Sequence, residues 1–147
     1  MSGPLSGYKV LDMSRVLAGP AATVLLADQG ADVIKVEPLR GDVVRAMGGG
    51  GLTPGYLTSN RGKRSIALDL KSESGIDIVK RLAKDADVFV QNFRPGAIDG
   101  MGLGEAVIRE INPRIIYVSM SGFGEKGPYS HKRVYDPVIQ ALSGLAD

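Results

Sequence analysis

Residues 8–37, YKVLDMSRVLAGPAATVLLADQGADVIKVE, carry the reading that decides the fold. Tyr8 to Met13 is a short apolar strand. Ala21 to Gln29 is an apolar helix that begins just past Gly19 and Pro20, where a proline suits the first turn. Gly30 then stands where a helix C-terminus favours a residue in the left-handed conformation. Asp32 to Glu37, with Val33, Ile34 and Val36, is a second strand. Two strands joined by one helix need a crossover connection, so they are predicted to be parallel neighbours.

Outward from this unit, strands and helices keep alternating. The stretch RGKRSIALDLK, Arg61 to Lys71, places a strand at Ser65 to Leu70 with Arg61, Lys63 and Arg64 before it and Lys71 after it. Ser72 then opens a helix, with Glu73 in its first turn and Ile76, Val79, Leu82 and Ala83 on one face. Val88 to Val90 is the next strand, Asn92 to Gly96 a turn, Glu105 to Ile111 a short helix and Arg114 to Ser119 a further strand. Pro137 to Leu145 starts a last helix, with Val138, Ile139, Ala141, Leu142 and Leu145 available for burial. Pro38 to Pro54 is a glycine-rich connection without periodicity, and the expectation is that it moves most. The fold class is therefore α/β: a mainly parallel sheet with helices on both faces, in one domain spanning 1–147.

Composition removes several function classes. A chain of 147 residues with 44% hydrophobic and 23% charged residues builds a globular core and carries no membrane span. A net charge of +2, no Trp and few other aromatics give a nucleic acid neither a field nor bases to stack on. The absence of Cys excludes thiolate chemistry and disulfides, and a single histidine, His131, leaves no metal site. Met1 to Gly7 has no basic start followed by an apolar run, so the protein is expected to be soluble and cytoplasmic. Twenty glycines are about twice the usual share and cluster at Gly48 to Gly51 and Gly122 to Gly127, which points to loops that approach a ligand closely.

Glu37, at the end of the second strand, stands where dinucleotide-binding folds place a ribose-binding carboxylate. The glycine fingerprint is missing, however, because RVLAGPAAT offers Gly19 alone, and Gly122, Gly124 and Gly127 are followed by PYSHKR rather than by a helix. NAD is therefore not expected. Ser14, Ser119 and Ser121 lack a nearby histidine to activate them. Asp136 reads, on spacing alone, as a helix cap or first-turn carboxylate rather than as a catalytic group. Arg94 reads either as a ligand-facing strand-end residue or as an exposed turn residue, and the Arg61 to Lys71 cations either as a phosphate platform or as a solvated edge strand. Taken together, Arg61, Lys63, Arg64, Lys71, Arg94, Lys132 and Arg133 all fall at strand ends or in loops, which favours a small polyphosphorylated ligand.

Six blocks carry a resemblance: LDMSRVLAGP, GADVIKVE, NRGKRSIALDLK, VQNFRPGA, NPRIIYVSMSGFGEKGPY and YDPVIQALSGL. In this order and over essentially the whole chain, they resemble the start of the class III CoA-transferases of the CaiB/BaiF type, a family that includes alpha-methylacyl-CoA racemases. The resemblance implies a Rossmann-like large domain, here amino-terminal, and a family homodimer whose two chains interlock like rings. It implies coenzyme A or acyl-CoA and a carboxylic acid acceptor as substrates, without metal or NAD. It also implies CoA contacts at Val16, Leu17, Leu68, Asp69, Leu70, Lys71, Asn92, Phe93, Arg94 and Arg133. Pro38 stands where some relatives have an arginine, with Arg40 in reach as a substitute, and Gly100 replaces a second arginine. The family's nucleophilic aspartate, which forms an anhydride and then a thioester, is expected beyond Asp147, with Tyr135 and Asp136 as active-site neighbours. A racemase would need a base histidine where this chain has Tyr135, so transferase is favoured, with racemase or a non-catalytic CoA-binding module as alternatives.

Overall fold

The computed structural model describes residues 3–47 and 51–146. Among them, β1 (Lys9–Asp12), β2 (Asp32–Glu37), β3 (Arg64–Ala67), β4 (Val88–Gln91) and β5 (Ile116–Ser119) form one sheet in the order β3-β2-β1-β4-β5, and each neighbouring pair is parallel. The helices are α1 (Ala18–Asp28), α2 (Pro54–Asn60), α3 (Glu73–Lys84), α4 (Ala97–Gly100), α5 (Glu105–Ile111) and α6 (Asp136–Ser143), with a 3₁₀ turn at Val43–Arg45.

Strand residues alternate between the two faces, and the alternation sorts the core. Leu11, Met13, Val36 and Phe89 pack with Val79 and Ala83 of α3, Ile98 of α4 and Ile108 of α5. Val10, Val33 and Val90 pack on the opposite face with Ala31 and with Leu26 and Ala27 of α1. Burying each such side chain contributes about 1.5–3 kcal/mol relative to leaving it exposed. Both faces of the sheet are covered, as the alternating sequence predicts.

Local chemistry fixes the element ends. The Ser72 hydroxyl accepts the Gly75 N–H at 3.1 Å and starts α3. Thr53 caps α2 in the same way. Gly30, just past α1, has φ +98°, a conformation that Ala31 could not share at equal cost. The helix predicted over Glu105–Ile111 is found with those bounds.

Three expectations are corrected. The strand read as Ser65 to Leu70 is Arg64–Ala67, because its partner β2 ends at Glu37, opposite Ala67; the Leu68 N–H makes a last contact to the Glu37 carbonyl at 2.8 Å, and Asp69 then turns the chain into α3. The connection read as lacking periodicity holds the 3₁₀ turn, capped by Asp42, and leads into α2; residues 48–50 of its glycine cluster lie outside the described residues. The last helix buries none of its residues, and Val138, Leu142 and Leu145 are exposed. Among the described residues, no helix is long and apolar enough to cross a membrane.

Candidate functional site

In a parallel sheet all the strands end at one edge, and the loops there carry the residues that the sequence singles out. By chain order, β2 and β3 run outward from β1 on one side while β4 and β5 lie on the other. The order thus reverses between β1 and β4, where open α/β sheets leave a crevice for ligands.

Val16 and Leu17 follow β1, and Asn92 and Phe93 follow β4, the two strands on either side of the reversal. The two loops are tied together. The Asn92 side chain donates from Nδ2 to the Arg15 carbonyl and accepts the Arg15 N–H on Oδ1, each at 2.8 Å. The Arg15 guanidinium lies 4.8 Å from the Phe93 ring centre, and burial lowers its pKa against the raising effect of Asp42. Val16 has φ +67°, and no other non-glycine among the described residues has a positive φ. Leu17, 61% exposed, is the cap of α1 without a side-chain hydrogen bond. Gly19 lets α1 approach this loop, since a Cβ there would collide with the Ser14 side chain.

Beneath the loops, on the α1 face, lies a buried polar network that the sequence reading missed. Asp12 accepts from the Ser14 N–H and hydroxyl, from Thr23 Oγ1 at 2.6 Å and from Lys63 Nζ at 3.0 Å. Lys35, 1% exposed, donates to the Ser14 carbonyl and to Asp42 Oδ2, both at 3.0 Å. Glu37 accepts from Arg45 Nε at 2.7 Å, Arg45 Nη2 at 2.8 Å, the Tyr56 hydroxyl at 2.7 Å, the Ser65 hydroxyl at 2.6 Å and the Asp42 N–H at 2.8 Å. Burial works to raise the Glu37 carboxyl, but these donors outweigh it and hold its pKa far below the usual carboxylate range. Burial pushes the Tyr56 hydroxyl up, and its hydrogen bond to Glu37 pushes the same way. For Lys63 burial wins, lowering the ammonium against the pull of Asp12. A signal for this network was present in the sequence: Asp12, Lys35 and Glu37 interrupt apolar strands at every second position, facing α1.

These pairings correct the cation reading. Lys63 is held inside by Asp12, Arg61 pairs with Asp28, and Arg64 pairs with Asp32 at 2.6 Å at the opposite end of the strands. Glu37 is 2% exposed and consumed by its own donors, so no ribose could reach it. Arg40, Lys71, Arg94, Lys132 and Arg133 are exposed, and among the described residues none forms an ion pair. Lys132 lies 3.8 Å from the centre of the Tyr129 ring.

The predicted residues fall into two groups. Asn92, Phe93, Arg94, Arg133 and Tyr135 line one cleft of about 200 Å³, closed by Met120 to Phe123. Val16 and Leu17 after β1, Arg40 and the Leu68 to Lys71 run on the β2 and β3 loops, and Asp136 at the start of α6 do not line that cleft. Within the run Leu68 is buried, the Lys71 backbone N–H donates to Asp69 at 3.0 Å, and Lys71 is exposed. Tyr135 is 76% exposed, and Asp136 accepts from Gln140 in the first turn of α6. Among the described residues, no group of three His, Asp or Glu side chains could hold a metal ion.

Comparison with known proteins gives the arrangement its place. The family model described as CoA-transferase family III matches residues 5–147. Human succinyl-CoA:glutarate CoA-transferase is 51% identical over 146 residues, covering 97% of this chain and 33% of its own length. Formyl-CoA:oxalate CoA-transferase from Streptomyces coelicolor is 48% identical, covering 95% of this chain and 35% of its own. The chain spans about a third of the length of these relatives. A crystal structure of a CAIB/BAIF family protein from Brucella suis superposes with a TM-score of 0.92 at 43% identity, covering 98% of this chain and 40% of that one. With the family model matched from residue 5 to residue 147, the chain belongs to CoA-transferase family III.

Proposed function

We propose that this chain forms the CoA-binding part, spanning 1–147, of an acyl-CoA:carboxylate CoA-transferase. The observation that carries the reading is the placement of five cations: among the described residues, Arg40, Lys71, Arg94, Lys132 and Arg133 are exposed, form no ion pair and share the loops that follow the C-terminal ends of the strands. Such an edge suits an elongated ligand with several phosphates and a long amide-containing arm, which describes CoA. In this reading the Leu68 to Leu70 run and the Val16 backbone line the ligand, the exposed Leu17 side chain offers apolar contact at the switch point, and Asn92 and Phe93 frame the opposite wall.

The acids named in the relatives, glutarate and oxalate, support a short dicarboxylate as acceptor. Asp12, Glu37 and Asp42 are buried and ion-paired, so none of them is free to attack a thioester. In this reading the nucleophile is the family's aspartate, which the resemblance puts past residue 147. The functional unit in this reading is the interlocked homodimer of the family.

Calorimetric titration with CoA and with dephospho-CoA tests the site. Saturable binding of CoA, weakened about tenfold or more by loss of the 3′-phosphate, is expected from charge-assisted phosphate contacts. Equal affinity for the two ligands would remove the phosphate-binding role of the exposed cations, and no binding of either would remove the site.

A further inference from the structure

We propose that Asp42 is a positioning residue that, with Lys35 and Asn92, clamps the Ser14–Val16 backbone in the conformation that receives CoA, an inference that rests on the CoA reading above. Val16 is β-branched, and a β-branched residue at φ +67° is disfavoured by contact between its Cβ and its own backbone. Such a conformation persists where the surroundings over-determine it, and such strain gathers at ligand-binding sites. Here three consecutive residues are held by side chains from three different elements. Lys35 of β2 donates to the Ser14 carbonyl at 3.0 Å. Asn92, after β4, takes both the N–H and the carbonyl of Arg15. Asp42, before the 3₁₀ turn, accepts the Val16 N–H at 3.3 Å and 3.4 Å on its two oxygens.

Asp42 is the hinge of this arrangement. Its carboxylate also takes the Val44 N–H at 3.1 Å and the Lys35 ammonium at 3.0 Å, while its own N–H donates to Glu37. At 2% exposure it cannot touch a ligand, so any influence on binding passes through the loop. The ligand therefore meets a Val16–Leu17 segment already in place and does not spend binding energy ordering it.

Removing Asp42 alone leaves Lys35 buried without a counter-charge, so Asp42→Ala is expected to lower the melting temperature as well. The decisive variant is the paired replacement Lys35→Met with Asp42→Leu, since apolar substitution of a buried ion pair is often neutral for stability while it deletes the clamp. This pair is expected to keep its fold and lose about tenfold in CoA affinity by calorimetry, the scale of one left-handed residue released. Adding Val16→Gly to the pair is expected to restore most of that affinity, because glycine takes a positive φ without a Cβ penalty. In unliganded wild-type protein, the amides of Arg15 and Val16 are expected to exchange more slowly than that of Leu17, whether or not any variant folds.

A folded pair variant that binds CoA as tightly as wild type overturns the proposal, as does rapid exchange at Arg15 and Val16 in the free protein. Failure of wild type itself to bind CoA overturns the reading of the site instead, a result distinct from either of these.

Discussion

Glu37 shows how one residue at a strand end is taken out of ligand binding by its neighbours. Arg45, Tyr56, Ser65 and the Asp42 N–H all donate to it, and together they keep it ionised despite burial. Its folded pKa is depressed, so the unfolded chain takes up a proton first as the pH falls. The stability it contributes is therefore complete above the ordinary glutamate value of ~4.3 and is lost progressively below it. Glu37→Gln is expected to cost about 2–4 kcal/mol at neutral pH, at the lower end for a broken buried pair because Arg45 is partly exposed. The variant should also show a shallower loss of stability between about pH 5 and pH 3. Urea unfolding across that range checks both, and an unchanged acid limb would mean that other carboxylates govern it.

At the scale of elements, α3 connects a local signal to the proposed site. Ser72 caps the helix through the Gly75 N–H and also donates to the Asp69 carbonyl at 2.8 Å, so it holds both the helix start and the loop that carries Lys71. Ser72→Ala should cost about 1 kcal/mol. Thermal unfolding measures this, and a melting temperature equal to wild type would show that the cap contributes nothing here. The boundaries of α3 were legible because cap, first-turn acid and apolar face lie within a few residues of one another. Strand β3 was less so: its pattern runs on through Leu70, but its pairing partner β2 ends at Glu37, opposite Ala67. Helix α2 went unread because PGYLTSN, with Pro, Gly and Asn among seven residues, has the composition of a turn; it forms because Thr53 caps it and Tyr56 is drawn inward to Glu37.

Across the whole molecule, Lys35 and Lys63 are held inside, Arg61 and Arg64 are in surface ion pairs, and Arg40, Lys71, Arg94, Lys132 and Arg133 lie on the loops that follow the strands. Lys71→Ala and Arg94→Ala are each expected to weaken CoA binding about three- to tenfold and to flatten its dependence on salt, because each removes one exposed phosphate partner. Arg64→Ala should change neither, since its partner is Asp32 at the far end of the sheet. Calorimetry at two ionic strengths distinguishes them. Equal losses in all three variants would indicate a general effect of net charge rather than a built site.

The sequence by itself determined the α/β class, the parallel sheet and the placement of Val16, Leu17, Asn92, Phe93 and Arg94 at strand ends. Those follow from apolar periodicity and helix punctuation, which are local. It also carried the family, through blocks of residues spread over the whole length. Only the tertiary structure decided which charges are available. Lys63 and Asp12 are 51 positions apart in the chain, and no local pattern announces their 3.0 Å contact. The same holds for Asn92, which a strand-end argument offers to a ligand but whose amide grips the backbone of Arg15, 77 positions away. Burial makes a charge seek the nearest partner in space, and that partner is known only once the chain is folded.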